Sequence, residues 1–200
     1  MKYLMVSAVF SGLLLSCAEG GKKNEVSEAP GQHSLKSKNS DSFNQSFEKL
    51  LTAYYSLKDA MVEYDTVHAN AASRQIANYA DSLLTQQSTQ DSSRLWVSAK
   101  NYAGTITGSA LALVAEPEIL SKKKEFQMIS DAMYDLVQTV NYDRQLIYRQ
   151  HCPMAFNDAE EAHWLSNSRM VVNPYFGKKH PKYKSGMLHC GDVTDSLNYN

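Results

Sequence analysis

The stretch FNQSFEKLLTAYYSLKDAM, residues 43–61, decides how the chain folds. Its large apolar side chains recur at intervals of three and four residues, the spacing that places them on one face of an α-helix. They are Phe43, Phe47, Leu50, Leu51, Tyr54, Leu57 and Met61. Either Asp41 or Ser42 is a suitable N-cap, because its side-chain oxygen can accept a hydrogen bond from the first turn. The stretch therefore predicts an amphipathic helix that begins near residue 42.

The apolar pattern of this first helix continues to Leu83, and no glycine or proline interrupts it. The sequence therefore allows either one long helix or two helices that are separated near Asp65-Thr66. A polar loop is expected at residues 86–91, and Asp91, Ser92 or Ser93 is a suitable N-cap for the helix that follows.

Two more helices are predicted on either side of Pro117. The first covers about residues 94–116 and ends there because proline cannot continue a helix, and the second covers about residues 118–140. Short connections between consecutive helices are typical of antiparallel neighbours. The predicted fold class is therefore mainly α, with an up-and-down bundle of three to four helices at residues 42–141.

The helical spacing ends after Asn141, and a different kind of segment follows. Residues 145–152 are rich in strand-forming types, and Pro153 is expected to end this strand or to confine it to a sheet edge. Residues 162–165 suggest a second short strand, and residues 173–177 read as a turn. Residues 142–195 are therefore predicted to form a small irregular or β module that packs on the bundle as part of one domain.

The N-terminus has the features of an export signal. The apolar run Leu4–Leu15 is too short to span a bilayer, which needs about 20 residues, but it suits a signal peptide at residues 1–16. The sequence Leu14-Leu15-Ser16-Cys17 resembles the lipobox of bacterial lipoproteins, in which the cysteine is acylated. A plain secretory signal with a coincidental cysteine is the alternative. Residues 17–41 hold few large apolar side chains and are expected to be a flexible tether.

Composition and motifs narrow the classes of function. The formal net charge of −1 gives no reason to expect nucleic-acid binding, because phosphate contacts need a basic surface. The basic runs Lys22-Lys23 and Lys122-Lys123-Lys124 are interpreted as solvated surface. The sequence has no Gly-rich phosphate loop, nucleophile elbow or metalloprotease histidine pair. An enzyme is therefore not expected.

Two short segments of the C-terminal module each carry a thiol, a thioether and an imidazole. The candidate ligands are His151, Cys152, Met154, Met187, His189 and Cys190. With Cys17 acylated, Cys152 and Cys190 are the remaining thiols of a chain exported to an oxidising compartment. Thiolates and thioethers are soft ligands that favour Cu(I), whereas two cysteines with two histidines would favour tetrahedral Zn(II).

Other roles for the two cysteines remain open at this point. A Cys152–Cys190 disulfide would close a loop of 38 residues and would stabilise the fold by roughly 3–4 kcal/mol in the chain-entropy model. A redox-active pair is a further alternative. If Cys152 and Met154 lie on an extended segment, both sulfurs point to the same face and can reach one ion.

Several segments together resemble a known but uncharacterised family. They are Tyr55–Val62, Tyr148–Asn157, Trp164-Leu165-Ser166, Asn173–Gly177 and Met187–Gly191. In this order they are similar to a bacterial domain-of-unknown-function family, which occurs as exported lipoproteins and as the C-terminal domain of some adaptor proteins of heavy-metal (copper/silver) efflux pumps. This chain departs from the family pattern in its long spacer at residues 178–186, and in having His151 where an aromatic residue is commoner.

The resemblance implies a periplasmic helical domain that takes part in copper handling, with Cys152, Met154, Met187 and Cys190 as candidate ligands. The expected function is Cu(I) binding for buffering or for hand-over to components of a metal efflux system. The expected location is the periplasmic side of a bacterial membrane, inner or outer, with anchoring through lipid on Cys17. The alternative is a helical protein-interaction module that is held together by a Cys152–Cys190 disulfide and binds no metal.

Overall fold

The computed structural model describes residues 39–86 and 94–199, which belong to one compact unit. Within these ranges, four helices precede three strands, which confirms the predicted fold class. They are α1 (Asp41–Glu63), α2 (Thr66–Gln86), α3 (Arg94–Ala115), α4 (Ile119–Val140), β1 (Ile147–Phe156), β2 (Glu160–Ser166) and β3 (Asp192–Leu197). Several predicted features lie outside the described residues. They are the signal peptide, Cys17, Lys22-Lys23, most of the tether, and most of the loop before α3 with the candidate N-caps Asp91, Ser92 and Ser93. Among the described helices, none is both long and apolar enough to cross a membrane.

Helices α1 and α2 are separate, as one of the two sequence alternatives predicted. Tyr64 ends α1 in a left-handed conformation with φ 60°, and Asp65 N then donates to Ala60 O at 3.0 Å. The predicted N-cap is wrong, because Ser40 holds that place and its Oγ accepts from Phe43 N at 3.2 Å. Asp41 and Ser42 already lie inside the first turn of α1.

Consecutive helices pack against each other, α1 on α2, α2 on α3 and α3 on α4. The apolar positions of the sequence pattern fill the space between them, and most are fully buried. Those with no exposed surface include Phe47, Leu50, Leu51, Tyr54, Leu57, Met61, Ile76, Ile106, Leu113, Phe126, Ile129, Met133 and Val137. Burial of this many large apolar side chains is the main stabilising contribution of the bundle.

The interpretation of Lys122-Lys123-Lys124 as solvated surface is wrong for two of its three residues. Lys124 is exposed, but Lys122 is 0% exposed and Lys123 is 6% exposed. Lys122 lies at the junction of α3 and α4, where its Nζ meets oxygens of three residues: Asn70 Oδ1, Leu113 O and Glu116 O. An ammonium at the last carbonyls of α3 satisfies groups that the end of a helix otherwise leaves unpaired.

The three strands form one antiparallel sheet in the order β2-β1-β3. Contrary to the prediction, Pro153 neither ends β1 nor lies on an edge strand, since β1 is the central strand and continues to Phe156. The reason is local. Pairing with β3 reaches no further than His151, and the β1–β2 register shifts between Cys152 and Phe156. Pro153 therefore lies in an irregular stretch where no regular ladder needs its missing N–H.

The sheet rests on the bundle through polar contacts as well as apolar ones. The hydroxyl of Tyr54 on α1 lies 2.7 Å from Ser130 Oγ on α4 and accepts from Leu165 N on β2 at 2.9 Å. The predicted turn at residues 173–177 is present, and it is closed by a hydrogen bond from Gly177 N to Asn173 O. Bundle and sheet are thereby held in a fixed relation, which positions the C-terminal site.

Candidate functional site

The two cysteines of the C-terminal segment lie side by side. Cys152 is on β1 and is buried, while Cys190 is in the loop before β3 and is partly exposed. Their Sγ atoms are 3.2 Å apart and are not joined by a disulfide in this structure. Two thiols that are 38 positions apart in the sequence are thus brought into contact by the fold.

Gly191 allows the loop to bring Cys190 this close to β1. Its φ is +128°, and a Cβ at this position would lie 2.2 Å from His151 O and 3.3 Å from the Trp164 ring. Only glycine fits so close an approach of one backbone to another. Gly191 therefore determines how close Cys190 lies to β1. In the sequence, the sign of this close approach is the glycine that directly follows Cys190.

Asn173 fixes the same loop from the other side. It has no exposed surface, and its Nδ2 donates to Cys190 O at 2.8 Å. Its Oδ1 accepts from Tyr175 N at 2.8 Å and from Phe176 N at 3.1 Å, and its own N–H donates to Leu188 O at 2.7 Å. Sequence reasoning identified Asn173 only as part of a turn. Its position before proline gave the turn, but not the long-range bond to Cys190.

A buried polar pair supports the sheet beneath the cysteines. Trp164 Nε1 donates to Gln150 Oε1 at 2.7 Å, between residues that are partners across β1 and β2. Gln150 Nε2 donates to the carbonyls of Ser168 and Met170, which hold the chain after β2 against the sheet. The sequence offered no signal for this pair, because its two members meet only through the strand register.

The environment of Cys190 favours a protonated thiol. Burial and, to a smaller extent, the neighbouring Cys152 raise the pKa of the Cys190 thiol to about 11. A thiol in this state is a poor nucleophile, because nucleophilic attack requires the thiolate. A metal ion would have to displace the proton from Cys190, so metal binding here would release protons.

The two candidate thioether ligands are half-buried and pack against the core. Met154 follows Cys152 by two residues on β1, but the register shift between Cys152 and Phe156 interrupts the regular alternation of that strand. Both residues lie within β1, and the placement of their sulfurs on a common face stays a prediction. Met187 lies in the turn that carries Cys190, where Cys190 N donates to Met187 O at 3.0 Å.

The two candidate histidine ligands have other partners. His189 is exposed, and its Nδ1 lies 2.7 Å from Val171 O. His151 Nε2 lies 3.0 Å from Glu161 Oε2 and its Nδ1 lies 3.3 Å from Asp192 Oδ1. Because neighbours on a strand point to opposite faces, the ring of His151 lies away from the Cys152 thiol.

Among the described residues, no group of three or more His, Cys, Asp or Glu side chains is placed to hold a metal ion. The thioethers of Met154 and Met187 are the remaining members of the ligand set that the sequence predicts. The cysteine pair and these two methionines are called the sulfur site below.

Comparison with known proteins gives a family match for the bundle alone. Residues 50–145 match the model of a family described as "Protein of unknown function (DUF3347)". No curated protein and no solved structure matches the chain. The matched region runs from α1 to the residues just before β1, so the sulfur site lies outside it. Over residues 50–145, the chain is thus similar to an uncharacterised domain family, and the expectation of such a family is confirmed at that level.

Proposed function

We propose that this protein binds Cu(I) through the thiolates of Cys152 and Cys190. The observation that carries the proposal is the 3.2 Å contact between two thiols that come from distant parts of the chain. Two adjacent thiols provide the soft, anionic ligands that Cu(I) prefers. Partial exposure of Cys190 gives an ion a path to the pair, while Cys152 is fully buried.

The separation of the sulfurs is compatible with a bound ion after a small movement. With metal–sulfur bonds of about 2.3 Å, a tetrahedral ion holds two sulfurs about 3.8 Å apart. The observed separation of 3.2 Å is shorter than this, so the sulfurs must move apart by roughly 0.6 Å. Cys190 lies in a loop and Cys152 in a strand, so the adjustment falls to the loop.

Met154 and Met187 complete the proposed set of ligands. A thioether needs no deprotonation and cannot form a disulfide, which suits a site in an oxidising compartment. Both side chains are half-buried, so neither is fixed deep in the core. Zn(II) is the weaker candidate because His151 and His189, which would complete a Cys₂His₂ set, have partners elsewhere.

The proposed physiological role is copper buffering or hand-over to an efflux system by an exported protein that is anchored through lipid on Cys17. This part rests on the signal-like N-terminus and on the family resemblance of the sequence. Binding rather than catalysis is proposed, since the raised pKa of Cys190 is opposite to what a catalytic thiol requires.

The test is an anaerobic Cu(I) titration of the reduced protein against a competing chelator, in a Cys17→Ser background. Cys152→Ser or Cys190→Ser should weaken Cu(I) binding by at least about 100-fold, because one of two thiolates is lost. Met154→Leu and Met187→Leu should weaken it by about tenfold each. The matched control is Met170→Leu, which removes an exposed thioether from the same segment and should change nothing. Unchanged affinity in both cysteine variants would end the proposal.

The contact between the thiols also favours the alternative, in which they form a structural disulfide and bind no metal. Sulfurs at 3.2 Å must approach by about 1.2 Å to reach the bond length of a disulfide. A thiol count separates the two functions. If the site binds Cu(I), the unreduced Cys17→Ser variant should show two free thiols. If the cysteines form a structural disulfide, it should show no free thiols, and a mild reductant should not restore them.

A further inference from the structure

Lys123 is a largely buried lysine whose ammonium reaches the surface and has no partner among the described residues. It is 6% exposed, and no described residue pairs with its ammonium or accepts a hydrogen bond from it. Its Nζ lies 5.9 Å from the centre of the Phe176 ring, a weak compensation for lost hydration. Burial lowers the pKa of Lys123 to about 8, so the side chain is still mainly charged at pH 7. The stem of Lys123 is buried while its ammonium stays within reach of water, so the charge is partly desolvated and open to an anion from solution.

The ring of His180 also lies against Phe176, and one of its ring nitrogens has an N–H donor without an acceptor among the described residues. Its centre is 5.2 Å from that of Phe176. His180 Nδ1 accepts from the backbone N–H groups of Lys182 and Tyr183 at 3.3 Å each. The hydrogen of the neutral ring is therefore on Nε2, for which no described residue serves as acceptor. Burial and, second, the charge of Lys123 lower the pKa of His180, which places the two groups in each other's field.

The surrounding surface carries an excess of positive charge. Residues 176–186 contain four lysines and no acidic side chain. Two of these lysines are neutralised, Lys178 by Glu63 and Lys182 by Asp158. Three exposed lysines close to Lys123 or His180 have no ion pair among the described residues. They are Lys124, Lys179 and Lys184.

We propose that Lys123 and His180 bind a phosphate-type oxyanion, either free phosphate or the headgroup of an anionic phospholipid. The Lys123 ammonium and the His180 Nε2–H are the two donors, and Phe176 forms the apolar wall beside them. A multiply charged oxyanion suits the site better than a single carboxylate, because the three unpaired lysines around it add further positive charge. This site involves none of the sulfur ligands, so it stands or falls independently of Cu(I) binding.

Anion binding would supply the counter-charge that Lys123 lacks. A ligand that binds only the folded state stabilises it in proportion to its concentration and affinity. Lys123→Met keeps most of the side-chain volume and removes the partly desolvated charge, so it should leave the unliganded protein as stable as before or more so. The same variant should lose the response to the anion.

The experiment titrates the full chain with inorganic phosphate, with sodium chloride at equal ionic strength as the salt control. Phosphate should raise the thermal midpoint of the wild type and should bind at least about ten times more weakly to Lys123→Met, since a charge-assisted bond is lost. Lys49→Met removes an exposed lysine from α1 and should behave as the wild type does. If Lys123→Met folds poorly, His180→Leu tests the second donor in the same way.

A second arm distinguishes the two sources of the anion. The same variants are sedimented with vesicles of phosphatidylcholine, with and without phosphatidylglycerol. Phosphate binding that depends on Lys123 supports the proposal with free phosphate as ligand. Lys123-dependent binding to the phosphatidylglycerol vesicles alone supports it with a lipid headgroup as ligand. If neither phosphate nor vesicles distinguish Lys123→Met or His180→Leu from the wild type, the proposal is overturned.

Discussion

The Lys122 junction and the sulfur site bury polar atoms in opposite ways. At the α3–α4 junction, Lys122 is fully buried and its ammonium meets three oxygens, which use the three hydrogens it can donate. At the sulfur site, Cys152 and Cys190 lie against each other, and within residues 39–86 and 94–199 neither thiol has an ion pair or a further hydrogen bond. The Lys122 ammonium, whose hydrogen bonds are all used, therefore stabilises the structure, whereas the two thiols remain available for a ligand or for oxidation.

The largest effect on stability is expected from Lys122→Met. The change leaves Asn70 Oδ1 and the carbonyls of Leu113 and Glu116 without their donor, and each buried acceptor left unpaired costs about 1–3 kcal/mol. Chemical denaturation measures this loss as a lower midpoint at unchanged slope. Lys123→Met is the matched neighbour, because it removes a buried lysine that has no such acceptors. Equal losses in the two variants would show that the pairing of Lys122 is not what matters.

Gly191→Ala should be the next most damaging change and should act on the sulfur site. The added Cβ would collide with His151 O, so the loop must move away from β1 at a cost of about 2–4 kcal/mol. Cu(I) affinity should fall as well, because Cys190 moves with the loop. Gly108→Ala on α3 is the control, since nothing lies within 4 Å of a Cβ there. It should stabilise the helix by about 0.5–1 kcal/mol, and a loss there comparable to that of Gly191→Ala would contradict the steric argument.

The same contrast explains how much the sequence could predict. The bundle follows from periodic apolar positions such as Phe47, Leu50 and Tyr54, because the neighbours on a helix face are set by local spacing. The separation of α1 from α2 at Tyr64 was predicted only as one of two alternatives, because a tyrosine in the left-handed conformation cannot be recognised from residue type. The burial of Lys122 was missed for a related reason. Its three acceptors come from α2 and from the end of α3, and the sequence pattern around Lys122 does not predict these contacts.

The site was predictable in its chemistry and not in its geometry. Cysteine and methionine in two short motifs pointed to one location, and the fold does place Cys152 beside Cys190. The residues that create this contact, Asn173 and Gly191, act through backbone atoms that are distant in sequence. The course of β1 through Pro153 likewise depends on where β3 stops pairing, which no pattern within β1 reveals.

Asn173→Ala should have an intermediate effect, localised to the sulfur site. It removes the donor to Cys190 O and the acceptor for Tyr175 N and Phe176 N, at a cost of about 2–3 kcal/mol. The freed loop should also expose Cys190, so its rate of alkylation in the reduced protein should rise above that of the wild type. Asn101→Ala, at an exposed position of α3, should alter neither quantity. An alkylation rate that stays at the wild-type value would mean that the bond to Cys190 O does not hold the loop.

The smallest effect is a pH dependence of the reduced protein that comes from Cys190. Its thiol has a pKa of about 11 in the folded state against an ordinary value of 9.0, so the folded state holds the proton more tightly than the unfolded chain does. The resulting stabilisation is complete below about pH 8.5 and is lost as the pH rises towards 11. Buried tyrosines such as Tyr54 also titrate at high pH, but they are common to the wild type and to Cys190→Ala. Between pH 9 and 11, the unfolding free energy of the wild type, measured in reductant, should therefore fall relative to that of Cys190→Ala. A difference that stays constant across this range would show that the Cys190 thiol is not desolvated beside Cys152, and that the sulfur site is more open to water than its 3.2 Å contact indicates.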